Sequence, residues 1–319
     1  MSVPKTLPAR TPLARPARRA LLIGLAGVAL SARPARLSAQ GGDDQPTIES
    51  LTVGASRLEL QFAPGFDAGL RTEATAWVQR SADAVVGYFG RFPVAQVDLL
   101  MLPTEGAGVH GGVTYGVPSL LVRVRVGRET TKAQFVDDWV MVHEMVHLAI
   151  PRVARAQNWL HEGLATYVES VARGRAGLVT PASVWRAWAK AMPQGQPQAG
   201  DAGLDHTPTW GRTYWGGAMF CLLADVQMLS RSAGRAGLQQ ALQGVLAAGG
   251  HYAVAWPVER ILATADAAVG QTTLTELYQR MKDSPEPAEL DALWRDLGVV
   301  GNSLNDSAPL AAVRRAILS

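Results

Sequence analysis

The sequence predicts an α+β fold: a small N-terminal β-sheet and helix unit followed by a mostly α-helical half. Two observations carry that expectation. Apolar residues alternate along residues 51–62 and 120–126, which is the period of half-buried strands. Beyond Thr131 they recur almost only at threes and fours, which is the period of helices. The change of period divides the chain after residue 39 into residues 40–130 and 131–319, two parts of one unit.

The elements follow in order. Leu51 and Val53, then Leu58, Leu60 and Phe62, read as a strand or hairpin. Leu70, Ala74, Trp77, Val78, Val85, Tyr88 and Phe89 mark an amphipathic helix that Gly90 stops. Residues 94–102 form a strand closed by Pro103. A glycine-rich turn, GAGVHGGVTYG, leads to the strand at 120–126, with Val122, Val124 and Val126 on one face. Residues 133–150 read as one helix ended by Pro151, and 159–172 as the next. Residues 191–212 are rich in Pro, Gly and Gln and read as a long loop, either a connector or a lid. A helix at 213–230 and further helices complete the chain.

The basic character is confined to one end. Residues 1–39 hold seven basic residues and no acidic one, which leaves 23 basic and 27 acidic residues, a net of −4, in the rest. No basic stripe for nucleic acid remains in the body. Residues 1–39 have the layout of an export signal: Arg18-Arg19, an apolar run at 20–30, and the small-residue site Leu37-Ser38-Ala39. The expected location is therefore periplasmic or extracellular, with no membrane span after cleavage. The alternative is an uncleaved N-terminal anchor. A single cysteine, Cys221, excludes an intramolecular disulfide.

The chemistry centres on His143-Glu144-Met145-Val146-His147. Residues four apart share a helix face, so both imidazoles can reach one metal ion while Glu144 sits beside them. Zinc suits neutral imidazoles and accepts a carboxylate as a further ligand. An open fourth position would hold a water for Glu144 to deprotonate. The metzincin pattern fails, because its third histidine would fall at Val153.

A second segment follows: Trp159-Leu160-His161-Glu162-Gly163-Leu164-Ala165-Thr166-Tyr167-Val168-Glu169. Together the two motifs resemble the gluzincin zinc peptidases, among them aminopeptidase N, leukotriene A4 hydrolase and the glycyl aminopeptidases. The resemblance implies one zinc ion held by His143, His147 and Glu162, with Glu144 as general base. His161 and Glu169 are rivals for the third ligand. His161 points about 100° from Glu162 on the same helix. Glu169 falls near the Glu162 face, as a partner for a ligand imidazole or as a solvated carboxylate.

The resemblance also implies a tyrosine that hydrogen-bonds the oxyanion. Tyr214 occupies that place, with Tyr115 as the other candidate, although Gly216 stands where the resembling families carry lysine. Their G-A-M-E-N strand has no counterpart; His110–Gly116 and the strand at 120–126 take its position. That strand is expected to offer an edge to an extended peptide.

The expected function is zinc-dependent hydrolysis of peptide bonds in a peptide or protein substrate. The alternatives are an inactive peptidase fold used for binding, and a metallohydrolase of another bond. Side-chain preference and oligomeric state are left open by the sequence.

Overall fold

Alternating burial along Thr47–Val53 (β1) and Ser56–Phe62 (β2) makes an antiparallel hairpin. Gly54 closes it at φ 60°, a left-handed conformation that glycine adopts without steric cost. The structure, a computed structural model, describes residues 45–301 and 303–319. The export leader expected at residues 1–39 lies outside them.

Helix α1 spans Ala68–Phe89, with Asp67 accepting from Leu70 N at its start and Gly90 in the left-handed conformation at its end. Gln96–Thr104 (β3), Val109–Tyr115 (β4) and Leu121–Gly127 (β5) join the hairpin in a five-stranded sheet ordered β1-β2-β3-β5-β4. β2, β3 and β5 run parallel, and β1 and β4 flank them antiparallel. One face is apolar throughout: Leu58, Leu60, Val97, Leu99, Met101, Val122, Val124 and Val126 are fully buried. Each such side chain contributes about 1.5–3 kcal/mol.

Two expectations change here. Only the start of the glycine-rich segment, residues 106–108, bends; Val109–Tyr115 is strand, with a register shift between Val109 and Gly112. Its glycines disguise it, because they carry no alternating side chains. The strand at 121–127 is therefore internal, and β4 is the edge that faces the helices.

The helical half starts with Lys132–Asp137 (α2) and Val140–His147 (α3). The single helix expected over 133–150 is thus broken at Asp138. Its backbone is extended (ψ 143°), and its carboxylate accepts from Val140 N and Met141 N, capping α3. Asn158–Arg175 (α4), Pro181–Ala191 (α5), Gly217–Arg231 (α6), Leu238–Ala247 (α7), Val258–Val269 (α8), Thr273–Met281 (α9), Leu290–Leu297 (α10) and Ala311–Ile317 (α11) follow. A π-helical turn at Arg212–Gly216 leads into α6. One buried apolar cluster runs from Val53 in the sheet to Leu318, so the two halves share a core. Among the described residues no helix is long and apolar enough to cross a membrane.

Residues 191–212 are tied to the helices around them. Asp205 accepts from Gln157, the Trp159 indole and the Tyr278 hydroxyl, and Leu204 N donates to the Met281 carbonyl. His206 is exposed and pairs with Asp283.

Candidate active site

All eight residues of α3 are buried, including His143, Glu144 and His147. Three ionisable side chains on one buried helix are costly unless a partner answers them. Helix α4 supplies it. Its residue Glu162 presents Oε2 at 3.3 Å from His143 Nε2 and 3.5 Å from His147 Nε2. The three ligand atoms lie within 4.8 Å of one another.

Those separations identify the arrangement better as a ligand set than as hydrogen bonds. N–H···O bonds run about 2.7–3.2 Å. Tetrahedral ligands at zinc bond lengths of about 2.0–2.1 Å lie about 3.3 Å from each other. The two imidazoles, with rings 4.8 Å apart, and one carboxylate therefore fit a zinc ion. The charges match too. Burial acts to raise the Glu162 carboxyl, but the two imidazoles outweigh it and hold it well below the usual carboxylate range. Burial, with the neighbouring His147, keeps His143 below its ordinary value, which favours the neutral ligand form. His147 is raised, because Glu162 and Glu144 overcome its burial.

Helix α4 reaches this position through glycine. A Cβ on Gly163 would lie 2.3 Å from the Gly217 backbone, so α4 and α6 cross with nothing between them. That contact brings Glu162 and the π-turn carrying Tyr214 to the same place. Tyr214 stacks at 6.4 Å over His143 and lines the cavity. Burial pushes its hydroxyl up to about 12, with Glu162 and Glu144 acting in the same direction, so it remains a donor at neutral pH. Tyr115 does not reach the cavity; the Arg123 guanidinium lies over its ring.

Strand β4 holds Glu144. The Thr114 hydroxyl donates to Glu144 Oε2 at 2.7 Å and lies 3.0 Å from the Glu144 carbonyl oxygen. A Cβ on Gly112 would meet Glu144 Cγ at 2.6 Å, so only glycine admits that carboxylate.

His161 backs the site without entering the ligand set. Its ring stacks on His147 at 4.6 Å, and burial drives its pKa to about 3. Glu169 is neither solvated nor bonded to an imidazole: Ser170 and Arg173 hold it, and burial raises it to about 7. The Nδ1 atoms of His143 and His147 have no hydrogen-bond partner among the described residues.

The cavity over these groups measures about 340 Å³. Thr114, Arg152, Asn158 and Tyr252 line it and carried no motif in the sequence. Arg152 had one available cue, its place just past the Pro151 that ends the metal-helix segment. Tyr252 reaches the site only by tertiary contact, its hydroxyl donating to the Thr114 carbonyl. A second cavity of about 750 Å³ opens on the other side of Tyr214, walled by Trp139, Trp188, Trp210 and Trp215.

Solved structures share this fold. An aminopeptidase N family protein from Idiomarina loihiensis superposes with a TM-score of 0.61 at 12% identity, over 79% of this chain and 49% of that one. A two-domain M1 zinc metallopeptidase mutant, crystallised with L-arginine, superposes at 0.50 with 16% identity, over 76% and 54%. The chain thus spans about half the length of these proteins. No family model and no curated sequence matches it. The chain shares the fold of these solved structures.

Proposed function

We propose that this chain is a zinc-dependent peptidase. The observation that supports it most is the Glu162 carboxylate set between the two Nε2 atoms at ligand spacing, with Glu144 on the same helix. His143, His147 and Glu162 hold one zinc ion. When bound, zinc supplies a Lewis acid that acidifies a water and polarises the substrate carbonyl.

The chain's own residues do the rest. Glu144, oriented by Thr114, takes the proton from the attacking water and returns it to the leaving nitrogen. Tyr214 donates its hydroxyl to the oxygen on which negative charge develops. The edge strand β4 binds an extended peptide beside Glu144. The tryptophan-walled cavity beyond Tyr214 suits apolar substrate side chains. Zinc and peptide chemistry also belong to the proteins that share the fold.

Glu144→Gln tests the reading. It should keep its zinc and lose peptide hydrolysis by about 10²–10⁴-fold. Hydrolysis retained in that variant, or none in the wild type with zinc bound, contradicts it. In the second case a binding module or an ester or epoxide hydrolase remains. We propose further that residues 1–39 direct export and are removed; N-terminal sequencing of exported protein should find Gln40 or its neighbours, and an intact Met1 would refute removal.

A further inference from the structure

The active-site cavity contains one cation that the proposed reaction leaves unused. Arg152 is the only lysine or arginine lining it among the described residues. Its place is built by three segments. The backbone of Arg152 is tied on both sides, N–H to the Val254 carbonyl and C=O from Trp256 N–H. Nη1 donates to the Gly116 carbonyl at 3.1 Å and to the Tyr252 carbonyl at 2.9 Å. A Cβ on Gly116 would lie 2.5 Å from that Nη1, so the chain keeps glycine where the guanidinium must pass.

These bonds fix one end of the fork and leave the other open. Among the described residues Nε and Nη2 have no hydrogen-bond partner, yet neither is sealed from solvent. No carboxylate pairs with Arg152 among the described residues. The cavity's only carboxylates, Glu144 and Glu162, are engaged with Thr114 and the imidazoles. A divalent cation would balance those two charges and leave Arg152 uncompensated. An oriented, half-buried guanidinium with a free edge is the geometry that grips a carboxylate through two parallel bonds.

We propose that Arg152 is a specificity determinant that binds a carboxylate of the substrate close to the scissile bond. This rests on the peptidase reading. The cavity of about 340 Å³ holds only a short stretch of peptide, so the carboxylate belongs to a residue adjacent or nearly adjacent to the bond cut. The same chemistry comes from a chain's C-terminal carboxylate or from an Asp or Glu side chain.

The test uses one peptide core, with a free and with an N-acetylated α-amine, in four forms: free acid, C-terminal amide, and amides with Glu or Gln at the final position. Cleavage is measured for the wild type, Arg152→Gln and Arg152→Lys. Binding of the uncut peptides is measured calorimetrically in the zinc-loaded Glu144→Gln background. We expect the wild type to prefer a carboxylate form by about 10- to 100-fold in kcat/KM. The same preference should appear in affinity. Arg152→Gln should bring both ratios close to one, and Arg152→Lys should restore part of them. Melting temperature and zinc content identify any variant that fails to fold, in which case the Lys variant carries the comparison.

Free acid over amide assigns the terminal carboxylate, and Glu over Gln the side chain. Equal cleavage of all four forms overturns the inference and leaves the peptidase reading standing. If nothing is cleaved, the peptidase reading fails, and an Arg152-dependent preference in binding decides the inference by itself. Equal binding of all four forms overturns it there too.

Discussion

At the scale of single residues, the neighbours of each polar group set its protonation state. Tyr214 is raised to about 12 by burial and two carboxylates, so it is a neutral donor throughout the pH range of a stable protein. Tyr214→Phe removes that donor and little else. It should lower kcat by about 10²–10³-fold with KM nearly unchanged, and steady-state kinetics on a good peptide checks this. Glu169 gives a prediction in pH. Its carboxyl is pushed from the ordinary 4.5 to about 7 by burial, against the pull of Arg173. A group raised on folding favours the native state fully below its unfolded value and loses that contribution as pH climbs to its folded value. Stability should therefore decline between about pH 4.5 and 7 on account of Glu169. Glu169→Gln should flatten that decline in thermal melts taken at several pH values. An unchanged slope would argue against the buried carboxyl as its cause.

At the scale of elements, glycine contacts decide where the functional side chains meet. Gly163 and Gly217 let α4 and α6 touch backbone to backbone, and that crossing carries Glu162 and Tyr214. Gly163→Ala has no room at 2.3 Å and must push the helices apart. Overpacking of this kind costs about 1–3 kcal/mol. The variant should melt at lower temperature and bind zinc more weakly, as differential scanning with and without metal would register.

The same scale explains what the sequence made legible. That His143, His147 and Glu162 come together beside Glu144 was readable, because a metal-ligating set would impose spacing on one helix and a motif on the next. Leu70 to Phe89 was readable because its period is long and its cap is Gly90. β4 was hidden: Gly106, Gly108, Gly111 and Gly112 read as a turn, although Gly112 is glycine to make room for Glu144. The break at Asp138 was also hidden, because neither proline nor glycine announces it and an aspartate cap is a weak signal inside an apolar run. Thr114, Arg152 and Tyr252 converge from segments far apart in sequence, and no local pattern encodes that convergence.

At the scale of the whole molecule, one core joins a mixed sheet to a helical half, and the candidate site lies where they meet. The sheet edge contributes the groups that hold Glu144, and the helices contribute the ligands. The chain achieves this without disulfides, its one cysteine being buried in α6. A metal bridging α3 and α4 would add a cross-link that the polypeptide lacks. The most direct measurement is the zinc content of the purified protein beside that of Glu162→Ala, after equilibration in the same limiting free zinc. One zinc per chain in the wild type and a marked loss in the variant is the predicted result. Equal zinc in both would remove Glu162 from the ligand set and contradict the account.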